Sequence, residues 1–117
     1  MNQVGIIYKR PWGTYRTIEQ KDNYQIKHII VHPGQRLSLQ YHCHRSEHWT
    51  IVKGLGKVQL NNDFFNLEVN KSIFIPKEAK HRITNETDKN IEFIEIQIGD
   101  YLGEDDIHRI EDDFGRT

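Results

Sequence analysis

Cysteine occurs once in 117 residues, at Cys43, so no intramolecular disulfide can hold the chain. That usage fits a reduced, cytoplasmic setting. Long apolar runs are missing as well. Val4 to Tyr8, interrupted by Gly5, is typical, whereas a membrane-spanning helix needs ~20 such residues. The mean hydropathy of −0.75 agrees, so no membrane partner is expected. No charge sign dominates: 16 basic and 17 acidic side chains leave a net charge of −1. This excludes the broad basic field of a non-specific nucleic-acid binder. No apolar stretch follows Met1-Asn2-Gln3, so a signal peptide is not expected. Repeats, linkers and low-complexity tracts are lacking too, which makes residues 1–117 a single domain. A domain this small buries only ~60–65% of its unfolded surface. Pairing with a second copy would help, and a homodimer is expected, with Val4 to Tyr8 able to add a strand to a partner.

What the chain does have is alternation. Apolar and polar residues exchange every second position, the period of half-buried strands. Strands are expected at Tyr24 to His32, Arg36 to His44, Glu47 to Lys53, Leu55 to Asn61, Phe64 to Val69, Ser72 to Pro76, His81 to Asn85 and Ile91 to Ile98. Turn signals at Pro33-Gly34, Gly54 and Asn61-Asn62-Asp63 separate several of them. Short strands about ten residues apart predict an all-β sandwich or barrel. Only the end reads otherwise. Glu104, Asp105 and Asp106 ahead of Ile107, Ile110 and Phe114 suggest a short C-terminal helix closed by Gly115.

Histidine is over-represented, with seven residues, three of them between positions 42 and 48. On a strand, His42 and His44 would project from one face, about 6.5–7 Å apart. Glu47 follows three residues later, and His81 opens a later strand. Three imidazoles and a carboxylate suit a divalent ion: zinc first, with manganese, cobalt, nickel or iron as alternatives. His48 competes with Glu47 for the fourth ligand position. Cys43, on the opposite face by alternation, reads as packing. Gln40 shares the His42 face and could serve as an outer hydrogen-bonding partner.

These residues resemble the two motifs of the cupin superfamily. Gly34, His42-x-His44, Glu47 and Gly54 are similar to the first motif, and Asn70, Pro76, His81 and Asn85 to the second. Asn70 and Glu78 stand where the second motif usually carries glycines. A narrower resemblance spans nearly the whole chain. Arg10-Pro11-Trp12-Gly13-x-Tyr15, Pro33-Gly34-Gln35-Arg36-Leu37-Ser38-Leu39-Gln40 and His44-Arg45-Ser46-Glu47-His48-Trp49 look like type II phosphomannose isomerases, as does Gly99 to Arg109. The resemblance implies a cupin (double-stranded β-helix, or jelly-roll) barrel. It also implies interconversion of mannose 6-phosphate and fructose 6-phosphate, supplying mannose phosphate for GDP-mannose and polysaccharide synthesis. In that family the segment is often the last domain of a bifunctional protein. No nucleotidyltransferase-type phosphate loop occurs in this sequence, so guanylyl transfer is not expected of it. Isomerisation through an enediol needs a Lewis acid and a proton carrier. Glu47, His48 and Glu95 are the candidates for the carrier. Arg45, Arg109, Arg36 and Lys27 are candidates for the phosphate, with Gln40 lining the pocket. A non-catalytic sugar-phosphate-binding cupin, or a metal cupin acting on another phosphosugar, is the alternative.

Overall fold

The computed structural model of the chain describes residues 3–116. Eleven strands form two sheets: β1 (Ile7–Arg10), β2 (Gly13–Gln20), β3 (Tyr24–Val31), β4 (Leu39–Tyr41), β5 (Arg45–Lys53), β6 (Leu55–Leu60), β7 (Asp63–Glu68), β8 (Ser72–Ile75), β9 (His81–Thr84), β10 (Ile91–Gly99) and β11 (His108–Glu111). One sheet runs β1-β2-β3-β10-β5-β8 and the other β11-β4-β9-β6-β7. All named strand pairs are antiparallel. The two sheets form a jelly roll of the cupin type, with its core between them.

The core shows why these sequences become strands. Val31, Ile51, Val58, Ile75, Ile83, Ile91 and Phe93 are almost fully buried. β-Branched and aromatic residues dominate the set, as a pleated, half-buried surface favours. Period-2 alternation is clean in β3, where Gln25, Lys27, Ile29 and Val31 face inward. Asn70 and Glu78 adopt φ of 72° and 69°, so both turns keep the left-handed geometry that glycine would supply. The Glu78 turn also reaches the site, its N–H donating to the His42 carbonyl at 2.7 Å.

Three expectations are corrected. The Arg36 to His44 stretch is not one strand. Arg36 makes an isolated bridge to Thr84, only Leu39–Tyr41 pairs regularly, and the chain bends at Cys43 and His44. The C-terminal helix is a single 3₁₀ turn over Glu104–Asp106, after which the chain extends as β11 along β4. Pairing with an open sheet edge gives the backbone more hydrogen bonds than a short isolated helix would. Finally, β2 lies where no strand was expected. Its inward residues Tyr15 and Thr17 include a threonine, which hides the apolar period.

Gly99, at the end of β10, sits against the chain entering β5. A Cβ there would lie 2.1 Å from the His44 carbonyl oxygen and 2.8 Å from the Arg45 Cα. Gly99→Ala is therefore expected to lower stability by about 1–3 kcal/mol, the usual range for overpacking. Denaturant melts of the two proteins would measure it.

Candidate metal centre

The register of β3, β10 and β5 sorts their inner face into rows. Ile29, Phe93 and Ile51 form one row, Lys27, Glu95 and Trp49 the next, and Gln25, Gln97 and Glu47 the next after that. One end of the barrel interior is thus apolar and the other polar. Thr17 donates to Gln25 at 3.0 Å, Gln25 to Gln97 at 2.9 Å, and Gln97 to Glu95 at 2.7 Å. The polar end opens into a cavity of about 130 Å³. Trp12, Tyr15, Ser38 and Gln40 also line it.

His42, Glu47 and His81 meet in this cavity, all nearly inaccessible to solvent. His42 Nδ1 lies 3.0 Å from the Asp106 carbonyl oxygen, and His81 Nδ1 lies 2.9 Å from that of Ala79. A carbonyl only accepts, so each Nδ1 carries a proton, which leaves Nε2 as the nitrogen that can face an ion. The two Nε2 atoms are 3.2 Å apart. Glu47 Oε2 lies 3.1 Å from His42 Nε2, and Oε1 lies 3.6 Å from His81 Nε2. Donors about 2.0–2.1 Å from a tetrahedral ion stand roughly 3.3 Å from one another. The three spacings lie close to that value, and the set could hold such an ion once Arg45 Nη2, 3.3 Å from His42 Nε2, gives way to it.

Electrostatics agree with the geometry. Burial alone would raise the Glu47 carboxyl, but Arg45, His42 and His81 together hold it well below the usual carboxylate range. Arg45 Nε donates to Oε2 at 2.9 Å and Trp49 Nε1 to Oε1 at 3.1 Å. Burial pushes His81 down to about 4, which keeps it neutral and available as a ligand. Glu95 goes the other way: burial, reinforced by the Glu47 charge, raises it to about 8. Proton transfer near neutral pH suits a carboxyl tuned this way.

Cations gather around the same cavity. Lys27, Arg45, Arg10, Arg109 and Arg116 line it, against Glu47, Glu95 and Glu104. Lys27 pairs with Glu104 at 3.0 Å and lies over the Tyr15 ring. Arg45 Nη1 and Arg109 Nε are buried with no hydrogen-bond partner among the described residues. Buried guanidinium donors without partners suit an anionic ligand.

The structure brings together most of the residues named from sequence: His42, Glu47 and His81 as donors, Glu95 beside them, and Lys27, Gln40, Arg45 and Arg109 around them. It does not bring in three others. His44 follows the end of β4, so strand alternation no longer applies. Its side chain is 56% exposed, near Asp100 and edge-on to Tyr101. His48 alternates with Glu47 on β5 and packs on Phe74 outside the barrel. Arg36 is tied to Asp113 and Glu111 on the other sheet, away from this cavity. Sequence reasoning also missed Gln25, Gln97, Tyr15 and Asp106. The available signal was parity: Gln25 and Lys27 share that of Ile29 and Val31, and Glu95 and Gln97 that of Ile91 and Phe93.

His42→Ala and His81→Ala are each expected to lose a bound divalent ion, whereas His44→Ala and Cys43→Ser retain it. Metal content after dialysis checks this. Glu95 has a further signature. Its folded pKa lies above its unfolded value, so metal-free stability falls as pH rises from about 4.5 to about 8. Glu95→Gln should melt at nearly the wild-type temperature at pH 5 and several degrees higher at pH 8. A pH series of thermal melts in chelator tests it.

Comparison with known proteins accords with this geometry. The family model described as mannose-6-phosphate isomerase C-terminal matches residues 2–112. The alginate biosynthesis protein AlgA of Pseudomonas aeruginosa is 49% identical over 108 residues, covering 92% of this chain and 22% of the relative. A mannose-1-phosphate guanylyltransferase of Escherichia coli is 46% identical over 108 residues, covering 92% and 23% respectively. The chain thus spans less than a quarter of the length of these curated relatives. A Klebsiella pneumoniae protein with a double-stranded β-helix domain superposes with a TM-score of 0.77 at 15% identity, covering 89% of each chain. Among the described residues no helix is long and apolar enough to cross a membrane. The chain belongs to the mannose-6-phosphate isomerase C-terminal family of cupin domains.

Proposed function

We propose that this domain interconverts mannose 6-phosphate and fructose 6-phosphate with a divalent ion, zinc first among the candidates. The observation that carries the reading is one cavity holding the clustered His42–Glu47–His81 donor set, a carboxyl poised near neutrality and buried guanidinium donors. The family's description supports the choice of sugar phosphate. Relatives named for alginate biosynthesis and for mannose-1-phosphate guanylyl transfer support a place in supplying mannose phosphate to sugar-nucleotide and polysaccharide synthesis.

When bound, the ion supplies a Lewis acid for the oxygens on the two reacting carbons. The protein residues do the rest. Glu95, as carboxylate, takes the proton from C2 of the aldose and returns it to C1, while the hydroxyl proton passes from O2 to O1, giving the ketose. Gln97 fixes the Glu95 oxygen through its 2.7 Å bond, and Lys27 lies opposite in register. Arg109 and Arg45 hold the phosphate dianion, with Arg10 and Arg116 adding positive charge. Trp12, Trp49 and Ile29 exclude water from the enediol. His48 has no part in this scheme, because it lies outside the barrel.

The test is a coupled isomerase assay on protein stripped with chelator and reloaded separately with Zn²⁺, Mn²⁺, Co²⁺, Ni²⁺ and Fe²⁺. Turnover should return with at least one ion. Glu95→Gln should then lower kcat by 10²-fold or more while retaining the ion. Arg109→Ala should mainly raise KM. Stoichiometric metal without turnover under any ion would overturn the assignment and leave a sugar-phosphate-binding domain.

A further inference from the structure

The expected C-terminal helix turned out to be one 3₁₀ turn, and its last residue is buried. Asp106 is 4% exposed, in a run of three acids that composition alone would place in solvent. Its side chain reaches across to the bend between β4 and β5. Oδ1 accepts from the Cys43 backbone N–H at 3.0 Å and Oδ2 from the His44 N–H at 2.9 Å. Its main-chain carbonyl accepts from His42 Nδ1 at 3.0 Å. One residue thus fixes both the backbone following His42 and the imidazole of His42.

The local chain explains why such a clamp is needed. His42 lies just past the end of β4 and before the start of β5, so neither strand ladder holds it. β4 itself is three residues long, and its register to β9 consists of one pair, Gln40 with His81. On the far side the Glu78 N–H holds the His42 carbonyl. Without the Asp106 carboxylate the bend and the 3₁₀ turn would no longer be held together, and the turn's carbonyl would lose its register on His42 Nδ1, so Nε2 would lose its aim at Glu47 and His81. Hydrogen bonding at the remote nitrogen of a metal-binding histidine fixes its tautomer and raises its basicity.

We infer that Asp106 is the positioning residue for the metal centre: it aims His42 at the ion from the C-terminal segment, through its carbonyl and by clamping the bend with its carboxylate. The inference rests on the reading of His42, Glu47 and His81 as metal ligands. Asp106 touches neither sugar nor reacting atoms, and its effect passes through His42.

The experiment is a titration of the chelator-stripped protein with Zn²⁺ against a chromogenic competitor, for wild type, Asp106→Asn, Asp106→Ala and His108→Ala. Removing an outer hydrogen-bonding partner of a ligand costs 10–100-fold in affinity. Asp106→Ala keeps the main-chain carbonyl that bonds His42 and removes only the carboxylate clamp on the bend, so a loss of about tenfold, the lower end of that range, is expected. Asp106→Asn, which keeps one acceptor oxygen, should lose less. His108→Ala should stay within about twofold, because His108 contacts Asp106 Oδ1 at 3.3 Å but does not hold the bend. Imidazole ¹⁵N spectra supply the second readout: the His42 Nδ1–H signal should broaden or shift in the Ala variant, while that of His81 stays in place. If Asp106→Ala proves unfolded, Asp106→Asn carries the test alone. Variants that bind Zn²⁺ like wild type and differ only in metal-free melting temperature would show a purely structural role and overturn the inference. A wild-type protein that binds no Zn²⁺ would overturn the metal-centre reading itself, and the inference with it.

Discussion

A carboxylate at 2% exposure governs this molecule. Burying an unpaired ion costs several kcal/mol even after relaxation, so Glu47 can exist only where donors surround it. Arg45 lies two residues before it on β5 and Trp49 two residues after, both on the inner face. His42 and His81 arrive from the opposite sheet. The two sheets are therefore joined at their polar end by one anion and its ring of partners, and by packed aliphatic side chains elsewhere. Swapping Glu47 with its neighbour His48 would reverse the faces of both. The anion would move to the outer face, and the Arg45 and Trp49 donors would be left without their acceptor.

The fold was largely legible because the alternation is strong where side chains are apolar. Tyr24–Val31, Arg45–Lys53, Leu55–Leu60 and Ile91–Gly99 lie close to where period 2 placed them. The misses share one cause, which is that polar residues face inward at the site end. Thr17 conceals β2, and in β3 the inward Gln25 and Lys27, set against Ile26 and Ile30 on the other face, hide which face is buried. The clustered donor residues were partly legible. His42 and His81 stood out by type and spacing, but His44 was placed by extending strand alternation past the end of β4. A terminal bend obeys turn geometry instead, and there the carboxylate of Asp106, far away in sequence, decides which side chains point in.

The C-terminal segment has more influence than its position suggests. Leu102 packs inward, Asp106 grips the bend, Arg109 enters the cavity and Arg116 lines its edge. Ion pairs of Arg82 with Glu111 and of Arg36 with Asp113 tie this segment to the second sheet. Arg36, set aside as a phosphate ligand, thus acts as an anchor for the strand that delivers Arg109. The family-like string ending at Arg109 is intelligible on these grounds: its residues complete the cavity wall from outside the two central strand sets.

β11 is the part of this assembly most easily opened. It is four residues long, pairs irregularly with a three-residue neighbour, and lies at the border of its sheet. Segments of that kind detach locally at far lower free energy than whole-domain unfolding. Detachment would carry Asp106 and Arg109 away together, so one fluctuation would loosen the hold on His42 and withdraw a guanidinium from the cavity. The order of the donor cluster and the charge lining the cavity would then vary together, set by the fraying of the last strand and not by melting of the whole fold.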